Sequence, residues 1–215
     1  MANKSTRERE IAAAKVKVYD KKKKELKILG YVALACAAVA LILMFVPFID
    51  IYNDPARSGG TDAGFVEIGA SGFDCLISAI TRDYTNAERQ LAPFYYWVTT
   101  QNNLPYVKTM AICALIAVFA TVIAIVAQIM KIAIGKNDFI LFSGLCEFIA
   151  FVVCTIAFVS AFSCEDVIIA GYCQGNPNCY IRSFAIFPAI AALATFVVDA
   201  IHFVKNAAIK NAAKA

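Results

Sequence analysis

Charge is scarce in this sequence, and the residues of catalysis are scarcer. Only 17% of the 215 residues are charged, and there is one histidine, His202, and one tryptophan, Trp97. A soluble globular domain carries about 25% charged residues. The chain has no glycine-rich phosphate loop, no HExxH-like metal signature, no dinucleotide fingerprint and no paired-carboxylate or nucleophile motif. The segments between its apolar runs hold too little soluble mass for an independent enzyme domain. These absences point to a non-enzymatic chain that calls for no cofactor and no metal. A formal net charge of +4 would suggest nucleic acid if it covered a surface, but ten of the 20 basic residues crowd into positions 1–27, so no nucleic-acid partner is expected. No internal repeat supports the inverted-repeat plan of many transporters.

What the sequence does have is hydrocarbon: 60% of it is hydrophobic and the mean hydropathy is +0.67. The apolar residues gather into four runs. Residues 28–49 and 109–130 are each 22 long without a charge, residues 139–163 are interrupted only by Glu147, and residues 183–204 carry Asp199 and His202 near their far end. A bilayer span needs about 20 apolar residues, and helices or closed barrels alone satisfy their backbone groups in lipid. Unbroken runs without alternation exclude the barrel. The first run is too long for a cleaved signal peptide and reads as an uncleaved anchor. The expected fold is therefore an all-α membrane protein, a four-transmembrane-helix bundle.

Basic residues in short flanks set orientation. Residues 1–27, Lys131, Lys136, Lys205, Lys210 and Lys214 put 15 of the 20 basic residues on one side, while residues 50–108 carry seven acids against Arg57, Arg82, Arg89 and Lys108. The reading is a basic cytoplasmic arm (1–27), a four-span domain (28–204) with outer loops at 50–108 and 164–182, and a cytoplasmic tail (205–215). Both termini face the cytoplasm, with the cell membrane as the expected location. No glycine or proline interrupts residues 6–27, so the arm should continue helically into the first span. Lys21, Lys22, Lys23 and Lys24 could attract anionic headgroups at about 1 kcal/mol each, although serving as the orientation signal alone is the simpler role.

The first outer loop is long enough to fold. Residues 64–69 suggest a short strand, and Phe73, Leu76, Ile77 and Ile80 have helical spacing. Thr85-Asn86-Ala87-Glu88 fits a capping box. Phe94, Tyr95, Tyr96 and Trp97, just ahead of the second span, read as an interfacial aromatic belt. Of the eight cysteines, Cys36, Cys113, Cys146 and Cys154 lie in spans, and Cys75, Cys164, Cys173 and Cys179 lie in outer loops. Four cysteines on an oxidising face suggest two disulfides. Sequence proximity favours Cys173 with Cys179, leaving Cys75 with Cys164 to tie the two loops together. Zinc would normally show a pair two to four residues apart, and none is present.

Inside the spans, Glu147 stands out, because a carboxylate near the bilayer centre costs about 2.5–3.5 kcal/mol. Cys36, Thr121 and Thr195 fall at a similar depth on the other spans, which suggests a polar layer. Glu147 could be a titratable group on an ion or proton path, or a protonated or hydrogen-bonded glutamate that fastens helices. Fastening is preferred, since no second deep charge accompanies it. Asp199 and His202, one turn apart near a span end, could bind a metal or relay protons, but metal sites need more ligands and a hydrated pair is the preferred reading. Ala33/Ala37 and Cys36/Ala40 would permit close helix contact.

A long first outer loop, a short second one and inward termini resemble, in topology alone, the tetraspan arrangement of claudins and peripheral myelin proteins. The first loop has one cysteine, Cys75, and the lone Trp97, and lacks the claudin Trp…Gly-Leu-Trp…Cys…Cys signature; the large second loop of tetraspanins is also missing. No residue role is carried over. The expectation is a tetraspan scaffold or accessory subunit in the lipid bilayer, presenting an outer cap to a membrane-protein partner or to a second copy of itself. A small transporter or channel using Glu147 is the alternative, and a membrane-embedded enzyme the third.

Overall fold

The computed structural model describes residues 2–53, 68–81, 104–134, 138–163 and 179–212. Four long helices form the body: α1 (Ala2–Ile42), α3 (Leu104–Ile134), α4 (Asp138–Phe162) and α5 (Ile186–Ala212). A short helix, α2 (Gly72–Thr81), and three short strands, β1 (Pro47–Asn53), β2 (Ile68–Ser71) and β3 (Cys179–Arg182), gather at one end. All four long helices contain a segment long and apolar enough to cross a membrane. The chain is an integral, multi-pass membrane protein.

Local chemistry sets the helix ends. α1 runs unbroken through 41 residues from the basic arm into the first span. It closes in a 3-10 turn at Leu43–Phe45, and Val46 turns extended at φ −73°, ψ 154°. Val46 precedes Pro47, whose ring disfavours helical backbone in the residue before it. The apolar run predicted to span through residue 49 therefore leaves the helix early, and Phe48 and Ile49 are buried on a strand instead. Pro105 sits in the first turn of α3, where a missing N–H breaks no helical bond.

Helix α1 packs on α3 and α5, and α4 packs on the same two, so the bundle closes as a ring with α1 diagonal to α4. Its interior is built of small residues. Ala33, Ala37 and Ala40 on α1, Ala114, Ala117 and Ala124 on α3, Ala150 and Ala157 on α4, and Ala189 and Ala192 on α5 are all fully buried. The large apolar side chains point the other way: Phe119, Val126, Leu141, Leu145, Val159 and Ile190 are more than half exposed. Water would not tolerate that inversion, whereas lipid does, because helices in a bilayer gain by close packing of small faces.

The cap at the strand end was expected to be braced by sulfur, and it is braced by a sheet. The strand order is β2-β1-β3, antiparallel throughout. β1 follows the first span and β3 precedes the fourth, so this ladder joins the two loops directly. Asp50 opposes Arg182 in the register, and the Arg182 guanidinium donates to Asp50 Oδ2 from Nε at 3.1 Å and from Nη2 at 2.5 Å. Ser183 Oγ donates to the Phe48 carbonyl at 2.6 Å. Cys75 is a free thiol, buried beside Met44, Phe48, Met110 and Cys113 in the apolar core, so the expected Cys75–Cys164 bond is corrected. No disulfide is present among the described residues; Cys164 and Cys173 lie outside them, and of Cys179 only the backbone in β3 is described. The sheet also qualifies the all-α class, which holds for the bundle alone.

Helix α2 follows β2 with a capping box at its start. Ser71 Oγ accepts from the Asp74 N–H at 3.2 Å, and Asp74 Oδ2 accepts from the Ser71 N–H at 3.0 Å. The box expected at Thr85–Glu88 and the aromatic run Phe94–Trp97 lie outside the described residues. Helical spacing at Phe73, Leu76, Ile77 and Ile80 corresponds to α2, whose Phe73 and Leu76 pack on the core while Ile80 is exposed.

Candidate functional site

The heptad phase that buries alanines near the sheet buries polar groups near the chain termini. On α3 the inward face carries Thr121, Gln128 and Lys131; on α4, Ser143 and Glu147; on α5, Thr195, Asp199 and His202. Each set is spaced three, four or seven residues apart, so each lies on one helix face. All eight are at most 7% exposed.

Gln128 is the junction. Its Nε2 donates to Ser143 Oγ at 2.8 Å and to the Asp199 carboxylate, with Oδ1 at 2.7 Å and Oδ2 at 2.6 Å. An amide nitrogen has two protons, so one serves Ser143 and the other is shared between the carboxylate oxygens. Ser143 in turn hydrogen-bonds Asp199. On its other side, Gln128 Oε1 faces Lys131 Nζ at 3.4 Å, and Lys131 Nζ lies 2.5 Å from His202 Nδ1. An ammonium has only donors, so Nδ1 must accept and the imidazole proton rests on Nε2. Gly30 of α1 closes this end: a Cβ there would stand 3.4 Å from Lys131 Nζ and 3.9 Å from His202 Cε1. These are ordinary contact distances, so the α1 backbone at Gly30 lies close over that pair.

Glu147 lies one turn beyond Ser143 toward the sheet, about 13 Å along α4 from its start. It is fully buried, and neither Oε1 nor Oε2 has a hydrogen-bond partner among the described residues. Thr121 Oγ1 is likewise buried and unpartnered, while Thr195 Oγ1 bonds back to the Ala191 carbonyl of its own helix at 3.0 Å. Cys36 on α1 is half-buried with a free thiol, so the expected four-residue layer is buried on three helices and looser on the fourth. Asp199 is within electrostatic reach of Glu147, which corrects the expectation that no second deep charge accompanies it. Asp199 and His202 are also not a hydrated pair: they are 1% and 5% exposed and bonded to α3.

The basic-residue distribution uses Lys131 only as an orientation flank; the structure makes it part of the site, together with Gln128 and Ser143. Their i, i+3 and i, i+4 spacing was a usable signal, visible when the three helix faces are phased together. Lys21, Lys22, Lys23 and Lys24, by contrast, are exposed on α1 away from this network. Nearby, Glu25 and Lys205 form an ion pair at 3.5 Å, half exposed, worth at most about 1 kcal/mol. Outside the bundle, burial and the neighbouring Asp74 push the Cys75 thiol up to about 12.

No group of three His, Cys, Asp or Glu side chains among the described residues is placed to hold a metal ion. The arrangement instead gathers ionisable groups: a carboxyl without hydrogen-bond partners among the described residues, a second carboxylate within its electrostatic reach, and a lysine–histidine pair at the end of the bundle. No protein-family model, no curated protein and no solved structure matches the chain, so its function has to be argued from this buried polar seam.

Proposed function

We propose that the protein is a small membrane transporter subunit that exchanges a proton at Glu147. The observation that carries this reading is that both Glu147 oxygens, at complete burial, have no hydrogen-bond partner among the described residues. A glutamate kept to fasten helices would be hydrogen-bonded, because an unsatisfied buried polar group costs about 1–3 kcal/mol. An ionisable residue inside a membrane marks an ion or proton pathway by default. The polar seam leads from Glu147 toward the end bearing the chain termini, where Lys131 and His202 lie. Toward the sheet the interior is mostly apolar, with Ser160 and Ser183 buried there as exceptions, so a transport cycle has to open that half.

The experiment is flux. Protein reconstituted in liposomes under an imposed pH gradient should accelerate its decay, and Glu147→Gln should return the rate to that of empty liposomes while remaining folded. Equal flux from wild type and Glu147→Gln would defeat the proposal.

A second reading, a scaffold that offers its cap to a membrane-protein partner or a second copy, is supported by the sheet clamp between β1 and β3 with its Asp50–Arg182 pair. Extraction in mild detergent should then recover a stoichiometric partner or a homo-oligomer, and a monodisperse monomer would count against it. In both readings the termini are assigned to the cytoplasm and the cap to the outside by the distribution of basic residues.

A further inference from the structure

We infer that Lys131 is a built-in counter-cation that fixes Asp199 as a permanent carboxylate, so that the buried site takes up a single positive charge, at Glu147. This deepens the proton-exchange reading and rests on it. The groups facing the site are Thr121, Gln128 and Lys131 from α3, Ser143 and Glu147 from α4, Thr195, Asp199 and His202 from α5, and Gly30 from α1. Four of these, Lys131, Glu147, Asp199 and His202, titrate or carry charge, and the buried thiols of Cys146 and Cys154 on α4 also lie within electrostatic reach of Glu147. Asp199 accepts both Gln128 contacts and one from Ser143, and it lies within electrostatic reach of Lys131. Gln128 links them, with its amide nitrogen on Asp199 and its amide oxygen toward Lys131. Lys131 and Asp199 thus cancel, and neutral His202 adds nothing. The remaining charge belongs to Glu147, whose carboxyl oxygens have no hydrogen-bond partner among the described residues. In the hydrocarbon that charge must be neutralised, and one proton suffices.

The selective probe is a hydrophobic carbodiimide, which reacts with a protonated carboxyl: the acid proton moves to a carbodiimide nitrogen and the carboxyl oxygen bonds to its central carbon. Membrane vesicles holding the full chain are treated with dicyclohexylcarbodiimide and the peptides mapped by mass spectrometry. Wild type should be labelled at Glu147 and not at Asp199, and Glu147→Gln should lose the label. Lys131→Met removes the counter-cation, so Asp199 should take a proton and its labelling should rise about tenfold or more, one unit of pKa being a tenfold change in the protonated population. Lys131→Gln keeps a donor for His202 without the charge and should behave in the same way if Lys131→Met does not fold, whereas Lys131→Arg should restore the wild-type pattern. Labelling of Asp199 in wild type, or of Glu147 alone in both neutral Lys131 variants, overturns the inference and leaves the proton-exchange reading standing. Wild type unlabelled at Glu147 overturns both.

Discussion

From the sheet to about the level of Ala124, the bundle interior holds Met44, Phe48, Met110, Cys113, Ala114, Ala117, Cys154 and Ala157; from the Glu147 level to Gly30 it holds two carboxyls, an ammonium, an imidazole, an amide and the hydroxyls of Thr121, Ser143 and Thr195. The same helices, with the same heptad phase, build both halves. In the apolar half, stability comes from close contact of small faces and from the backbone sheet that ties β1 to β3. In the polar half, each hydrogen bond between spans contributes little, about 0.6 kcal/mol on average, while each buried charge is expensive. Such a half is not what packing alone would select. The difference separates residues that hold the fold from residues that cost it something, and Glu147 is the extreme of the second kind.

The comparison breaks most sharply at Asp199. Asp199→Leu leaves Lys131 as an uncompensated buried charge and strips Gln128 of two contacts, and losing one partner of a buried pair costs about 3–5 kcal/mol. The midpoint of unfolding in a detergent titration should fall accordingly. Lys131→Met in the same background removes the orphaned charge and should recover most of the loss; no recovery would mean that the two charges are not coupled. Glu147→Gln sharpens the contrast from the other side. It removes no hydrogen bond, so its unfolding midpoint should match or exceed that of wild type even as flux disappears.

Next in size is a change in the apolar half. A Cβ on Gly72 would stand 2.7 Å from Phe48 Cε1 and 2.8 Å from the Met44 carbonyl oxygen. The carbonyl belongs to the backbone and cannot rotate aside, so Gly72→Ala should cost about 1–3 kcal/mol as overpacking. Ser71→Ala, one residue earlier, removes the α2 cap and should cost about 1 kcal/mol. Neither change should alter carbodiimide labelling of Glu147. A change there would show that the halves are not independent.

How much of this could be read beforehand differs between the halves in the same way. The four spans, the continuous α1 and the helical phase of α2 are written in long-range composition and periodicity, which a single sequence exposes directly. The sheet was only partly legible: the strand expected at residues 64–69 overlaps β2 at 68–69, but β1 begins inside an apolar run whose length alone says span, with Pro47 the one local sign that the helix stops. The link between the loops was sought in cysteines, yet hydrogen-bonded pairing of residues 50 and 182 leaves no mark in either segment by itself. The polar seam was half visible. Glu147 drew notice because it interrupts a run, whereas Lys131, Asp199 and His202 lie near span ends, where charge is normally hydrated. Depth along one helix cannot show that a neighbouring backbone, here at Gly30, closes over such residues.

The smallest expected effect concerns Cys75, the residue on which the disulfide expectation fails. Its burial in the cap core, with Asp74 adjacent, holds the thiol near pKa 12 against an ordinary 9.0. The thiolate is the reactive form, so at pH 8 the folded protein should leave Cys75 essentially unmodified by an alkylating reagent, while the unfolded chain reacts. The direction of the pH effect follows from the same shift. The folded value lies above the unfolded one, so the stabilisation is complete below about pH 9 and drains away as the pH climbs toward about 12, because in that window only the unfolded chain releases the proton. Below pH 9 the apolar half should show no pH dependence from this residue, and a reducing agent should leave Cys75 unchanged. A Cys75 peptide recovered from non-reduced protein in covalent linkage to Cys164 would restore the sulfur brace and show that the sheet does not hold the cap by itself.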